Sequence, residues 1–164
     1  MDDRKDSTNR LVKELLKMTG KLDQLDEGQS VIGPDTKSLL VVDDLAEHRE
    51  VIRQLLRRAS FATSFAATAS EALAQIHAGA RFDGYLLDCA MPDMDGFELA
   101  TQIRRRVPEA RIGFLTASSD LVELSTLVEE SGAKLFLRKP EDMDTRLVGR
   151  LALWLGGDLQ ESPP

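Results

Sequence analysis

The chain has 164 residues, 42% of them hydrophobic and 30% charged, the length and texture of one ordinary domain with a short appendage. A core of this size folds without cross-links, and the single cysteine, Cys89, excludes both an internal disulfide framework and a multi-cysteine zinc site. The 21 Lys and Arg against 28 Asp and Glu, a formal charge of −7, are the wrong balance for a nucleic-acid partner. No apolar run approaches the roughly 20 residues of a membrane span, and Met1, Asp2, Asp3, Arg4 and Lys5 are no signal core, so the expected setting is cytoplasmic with no membrane contact.

Residues 1–37 carry seven basic and eight acidic side chains and no aromatic ring, and read as an extension outside the core. Within it Leu11, Leu15, Met18, Leu22 and Leu25 recur at spacings of four and three, one stripe of an amphipathic helix. The stripe covers about two heptads, short of the three or four that define a coiled coil. It is compatible with a homodimer through residues 9–27 or with docking on a partner. Gly28 through Gly33-Pro34-Asp35 then form a linker.

From Ser38 short apolar runs alternate with amphipathic stretches of helical length, the rhythm of a parallel sheet. Leu39 to Val42 is an uninterrupted apolar strand, as expected where helices cover both faces. Val51, Ile52, Leu55, Leu56 and Ala59 follow at helical spacing. Phe61 to Ala66 predicts a second strand, Glu71 to His77 a helix, Tyr85 to Leu87 a third strand and Phe97 to Val107 a helix stopped by Pro108. Ile112 to Leu115 is the fourth strand, Leu121 to Glu130 a helix closed by Ser131-Gly132, and Leu135 to Leu137 the fifth strand. Met143, Leu147, Leu151 and Trp154 give the last helix its buried stripe before Gly156-Gly157 end it. Five strands and five helices in strict alternation predict an α/β, doubly wound parallel sheet over 38–157, with 158–164 a flexible tail.

In such sheets reactive groups gather at the carboxyl ends of the strands. The first strand ends at Asp43-Asp44, the third at Asp88, the fourth at Thr116 and the fifth at Lys139-Pro140. Two unit charges about 4 Å apart at an effective dielectric near 20 interact by roughly 4 kcal/mol, so clustered carboxylates need a positive partner. An oxygen-only set, with neither histidine near it in sequence, fits a hard cation such as Mg²⁺. Together with a lysine it makes a receptor for a phosphoryl group, which a carboxylate attacks in line.

The stretch Leu86-Leu87-Asp88-Cys89-Ala90-Met91-Pro92-Asp93-Met94-Asp95-Gly96 resembles the phosphoacceptor segment of two-component response-regulator receiver domains. So do Val41-Val42-Asp43-Asp44, Leu115-Thr116-Ala117 and Phe136-Leu137-Arg138-Lys139-Pro140, in the family's order and spacing across the whole core. The resemblance implies a flavodoxin-like fold in which Asp88 accepts a phosphoryl group from a histidine kinase or histidine phosphotransfer protein. It implies Mg²⁺ bound by Asp44, Asp88 and the main-chain carbonyl of Ala90, with Asp43 acting chiefly through water. Lys139 would pair with Asp88 and then with the phosphoryl oxygens. By the same resemblance Thr116 and Ala117 would form the phosphoryl-binding turn, Phe136 the aromatic switch, Pro140 a cis-proline, and Gly96 the turn glycine.

Ala90 and Ser118 stand where relatives place side chains that flank the attacking water, and neither orients it strongly, so the phosphoryl lifetime is expected to depend on the partner or on solvent access. Phe136 has no hydroxyl and is expected to switch through packing alone. The resulting expectation is a phosphorylation-controlled switch, not an enzyme and without an output domain in this chain. It would meet its downstream protein through the last two helices and the fifth strand. The alternatives are a haloacid-dehalogenase-like Mg²⁺ phosphatase, which wants a second acid where Ala90 stands, and a pseudo-receiver that is never phosphorylated. Cys89 is expected to be an apolar filler with a raised pKa, His48 and His77 solvated surface residues, and the Arg104-Arg105-Arg106 run a helix terminus complemented by cations.

Overall fold

The computed structural model describes residues 36–57, 59, 61–117, 121–139 and 142–156. The leucine stripe, the dimer expected through 9–27, Ser118, Pro140 and the tail lie outside the described residues. Ten elements alternate strictly: β1 (Lys37–Val42), α1 (Ala46–Arg57), β2 (Phe61–Ala66), α2 (Ala69–His77), β3 (Gly84–Asp88), α3 (Gly96–Arg106), β4 (Ile112–Thr116), α4 (Leu121–Ser131), β5 (Leu135–Arg138) and α5 (Arg146–Gly156). All five strands are parallel, in the order β2-β1-β3-β4-β5. The order reverses between β1 and β3, and a crevice opens at their carboxyl ends.

Two apolar layers sandwich the sheet, which is why its central strands read as unbroken hydrophobic runs. Leu39, Val41, Leu86, Leu115 and Leu137 face Val51, Ile52, Leu55, Leu147, Leu151 and Trp154, so α1 and α5 cover one side. Leu40, Val42, Leu87 and Phe114 face Ala72, Ile76, Leu99 and Ile103 of α2 and α3 on the other. Met143, expected within the last helix, is fully buried in the turn ahead of it, because α5 begins only at Arg146. Strands β3, β4 and β5 each run a residue further toward the site than the apolar runs alone suggest, ending on Asp88, Thr116 and Arg138.

The helix ends explain themselves locally. Thr68 accepts the Glu71 N–H at 3.0 Å while Glu71 accepts the Ala67 N–H at 2.8 Å, so two orphan donors at the start of α2 are satisfied reciprocally. Asp95 caps α3 through the Glu98 N–H at 2.8 Å. Gly132, at φ +65°, closes α4 in the left-handed conformation that favours glycine. Three arginines serve helix carboxyl ends: Arg81 donates to the Ile76 carbonyl at 3.1 Å, Arg104 to the Ser131 carbonyl of α4, and Arg111 to the Trp154 and Leu155 carbonyls of α5 at 2.7 and 3.1 Å. Among the described residues no helix is long and apolar enough to cross a membrane.

Candidate phosphoacceptor site

Strand β1 delivers Asp43 to the crevice and β3 delivers Asp88. Both are buried, as are Thr116 at the end of β4 and Lys139 just past β5. Lys139 Nζ lies 3.0 Å from Asp43 Oδ2 and 3.2 Å from Asp88 Oδ1, so one ammonium bridges the two inner carboxylates. Asp44 is half-buried beside them, and one oxygen from each of Asp43, Asp44 and Asp88 lies within 4.8 Å of the others. Asp43 is fully engaged: its Oδ1 accepts the Leu45 N–H at 2.9 Å and its main-chain carbonyl accepts an Arg49 N–H at 2.6 Å. Ala90 donates its N–H to Asp88 Oδ1 at 3.3 Å and is itself exposed.

The backbone fixes these groups. Lys139 donates its N–H to the Thr116 carbonyl at 2.7 Å, extending the β4–β5 ladder to the lysine. Asp142 then holds the following turn, accepting the Arg138 N–H at 2.8 Å and pairing with Arg150 of α5 at 3.2 Å. Gly96 donates to the Cys89 carbonyl at 3.0 Å and seats α3 against the end of β3. Asp93 ties the loop after β3 to α2, accepting the Ala69 and Ser70 N–H groups at 3.4 and 3.2 Å. Phe136 is half-buried with its ring centroid 5.3 Å from that of Phe114, which in turn stacks 4.5 Å from Phe97. Ala117 is exposed at the end of β4.

The electrostatics separate the two inner acids. Burial, with the Asp43 charge adding to it, pushes Asp88 up to about 7 in the metal-free protein despite the opposing Lys139. Burial acts the same way on Asp43, but the His48 hydrogen bond and the Lys139 charge outweigh it and hold that carboxyl below its usual range. Lys139 is held above its ordinary value because the two carboxylates outweigh its own burial. Burial and the adjacent Asp88 raise the Cys89 thiol to about 12, against a hydrogen bond from Thr116.

One sequence expectation is overturned. His48 is no surface residue: it is 3% exposed, with Nδ1 at 3.2 Å from Asp43 Oδ2 and 3.3 Å from Lys139 Nζ. The turn from β1 into α1 carries position 48 back over Asp43, so a histidine does stand beside the acids. A signal for it was present, because His48 precedes Val51 by three and Ile52 by four and so shares their buried stripe. His77 is exposed as expected. Asp142 carries no such signal: its Arg138 contact is a local turn bond, and Arg150 becomes its neighbour only once α5 packs.

A doubly wound parallel sheet with three carboxylates and a lysine gathered at its carboxyl edge defines a domain built to manage negative charge at that edge. Residues 39–151 match the response regulator receiver domain family, and the chain belongs to it. Similar sequences include hybrid signal transduction histidine kinase A of Dictyostelium discoideum, 34% identical over 128 residues that make up 73% of this chain and 6% of that protein. The transcriptional regulatory protein ZraR of Salmonella typhimurium is 35% identical over 106 residues, 65% of this chain and 24% of that protein. The chain thus spans under a quarter of the length of these relatives. Among solved structures, a CheY-like receiver domain protein from Methanospirillum hungatei is similar at 28% identity and a TM-score of 0.67, covering 76% of this chain and 97% of that one. The chemotaxis response regulator CheY4 of Vibrio cholerae is similar at 30% identity and a TM-score of 0.63, covering 72% and 98%. Membership of this family sets aside the phosphatase alternative: the chain is a receiver domain of two-component signalling.

Proposed function

We propose that this receiver takes a phosphoryl group on Asp88 from a phosphohistidine of a histidine kinase or histidine phosphotransfer protein and thereby changes its contacts with a downstream protein. The observation that carries this reading is the Lys139 ammonium held 3.2 Å from Asp88 inside a buried carboxylate cluster. An Asp88 oxygen forms the new bond to phosphorus as the bond from phosphorus to the donor imidazole nitrogen breaks, the electron pair remaining on that nitrogen. Lys139 then has a phosphoryl oxygen to pair with in place of a carboxylate oxygen.

Receiver domains bind Mg²⁺ at an acidic pocket, and the oxygen-only carboxylate set here fits a hard cation. Asp44, Asp88 and the Ala90 carbonyl would hold it directly. Asp43 would act through water, a role supported by the three hydrogen bonds its carboxylate oxygens already accept. When bound, the ion supplies neutralisation of the transferring oxygens. The Thr116 hydroxyl and the Ala117 turn would close on the phosphoryl group, and Phe136 would follow by repacking against Phe114. The face formed by α4, β5 and α5 is the proposed contact for the downstream protein.

Incubation with acetyl phosphate and Mg²⁺ followed by intact-mass analysis tests this. The expected result is a Mg²⁺-dependent gain of one phosphoryl group that Asp88→Asn abolishes. A folded protein that gains none is a pseudo-receiver, and the proposal fails.

A further inference from the structure

His48 is a buried imidazole that the phosphotransfer chemistry above does not use. Its Nδ1 stands between an acceptor and a donor, Asp43 Oδ2 at 3.2 Å and Lys139 Nζ at 3.3 Å, while its Nε2 is buried with no hydrogen-bond partner among the described residues. A single ring nitrogen has one in-plane valence, so Nδ1 serves only one of these neighbours. Asp43 is a fully buried carboxylate, and a charge-assisted N–H···O⁻ bond is the stronger of the two choices. Nδ1–H therefore donates to Asp43, and Oδ2 has two donors, Lys139 at 3.0 Å and His48.

Two donors on one oxygen matter because one of them is asked to leave. If Asp88 gains a phosphoryl group and Lys139 turns to it, a buried Asp43 oxygen without a second donor would be stranded, a costly state for a charge removed from water. With His48 in place the oxygen stays satisfied. We propose that His48 is a positioning residue of the phosphoacceptor site, the standby donor to Asp43 that frees Lys139 for the phosphoryl oxygens. The inference rests on Asp88 being the acceptor.

The role separates from a structural one because Asp43 Oδ2 keeps the Lys139 donor in the unphosphorylated protein and depends on His48 alone once Lys139 turns away. His48→Leu fills similar volume and removes the orphaned Nε2 but also one of the two donors on Asp43 Oδ2, so the unphosphorylated protein, which keeps Lys139 on that oxygen, is expected to lose only a few degrees of thermal midpoint. Its rate of phosphoryl gain from acetyl phosphate at saturating Mg²⁺ is expected to fall about tenfold or more, the worth of a hydrogen bond to a charged group. His48→Asn places an amide donor near the Nδ1 position and is expected to restore the rate to within about threefold of the parent. His48→Gln reaches instead toward Nε2 and is expected to remain slow. Parent-like rates in His48→Leu, slow rates in His48→Asn, or a large loss of midpoint in the unphosphorylated Leu variant each overturn the proposal. Absence of phosphoryl gain in the parent chain is a different failure, that of Asp88 as acceptor, and is read before any variant is compared.

Discussion

Gly96 lies so close to Asp88 that a Cβ on it would stand 2.3 Å from the Asp88 carbonyl oxygen and 3.1 Å from the Cα of Cys89. Both obstacles are backbone, and the strand that carries them is hydrogen-bonded on both sides. The glycine therefore sets how closely α3 approaches β3. Gly96→Ala is expected to cost roughly 1–3 kcal/mol. A thermal midpoint lowered by several degrees, together with weakened Mg²⁺ binding, is the outcome to check by calorimetry and titration.

Asp88 gives the metal-free protein a definite pH dependence. Its carboxyl rises from 3.8 when unfolded to about 7 when folded, so the folded state holds the proton more tightly, and stability falls as pH climbs through that interval. Below 3.8 the group contributes nothing, and above about 7 the full cost is present. Each tenfold change in proton affinity is worth about 1.4 kcal/mol, so ionising Asp88 costs the apo fold on the order of a few kcal/mol. Asp88→Asn is expected to raise the apo midpoint at pH 8 and to flatten its decline between pH 5 and 8. Mg²⁺ is expected to stabilise the parent more at pH 8 than at pH 5 and to do little for the variant, as thermal scans with and without the ion will register.

The Cys89 thiol, raised to about 12 by burial and the Asp88 charge, holds far less thiolate at pH 8 than a free cysteine does. Alkylation by iodoacetamide is expected to run at least about a hundredfold slower than for a model thiol. The rate should increase close to tenfold per pH unit up to pH 10, and Asp88→Asn should accelerate it by removing the neighbouring charge. Mass spectrometry against time measures all three.

Arg111 donates to two carbonyls at the end of α5. Arg111→Ala is expected to cost about 1 kcal/mol, the scale of a helix-terminus interaction, and to lower the midpoint by a few degrees. Hydrogen exchange is expected to show the last turn of α5 opening more readily while the β3 amides keep their protection.

The order of strands and helices was legible in the chain because each buried strand is an apolar run and each helix a stripe, and these local periods survive folding unchanged. The acidic cluster was legible because strand ends are visible as the points where an apolar run meets Asp43, Asp88 or Thr116. His48 was not read as part of it. Its apolar stripe is carried by residues from Val51 onward, and the approach of position 48 to Lys139 depends on a turn and on a strand 91 residues away. Arg104 likewise reads locally as one of three basic residues ending α3, while its partner, the Ser131 carbonyl, belongs to the next helix. What escaped the sequence is contact between elements through single side chains: the helical period places His48 on the buried face but does not say what it meets there.

The arginine caps lie at the end of the sheet remote from the carboxylates. Helix α4 is fastened there through Ser131 to Arg104, and α5 through Trp154 and Leu155 to Arg111. A rod pinned at one end answers a push at the other by swinging, not by sliding. If phosphoryl gain at Asp88 displaces α4, the contact at Ser131 predicts an angular displacement, smallest at that end and largest at the rim beside the acids.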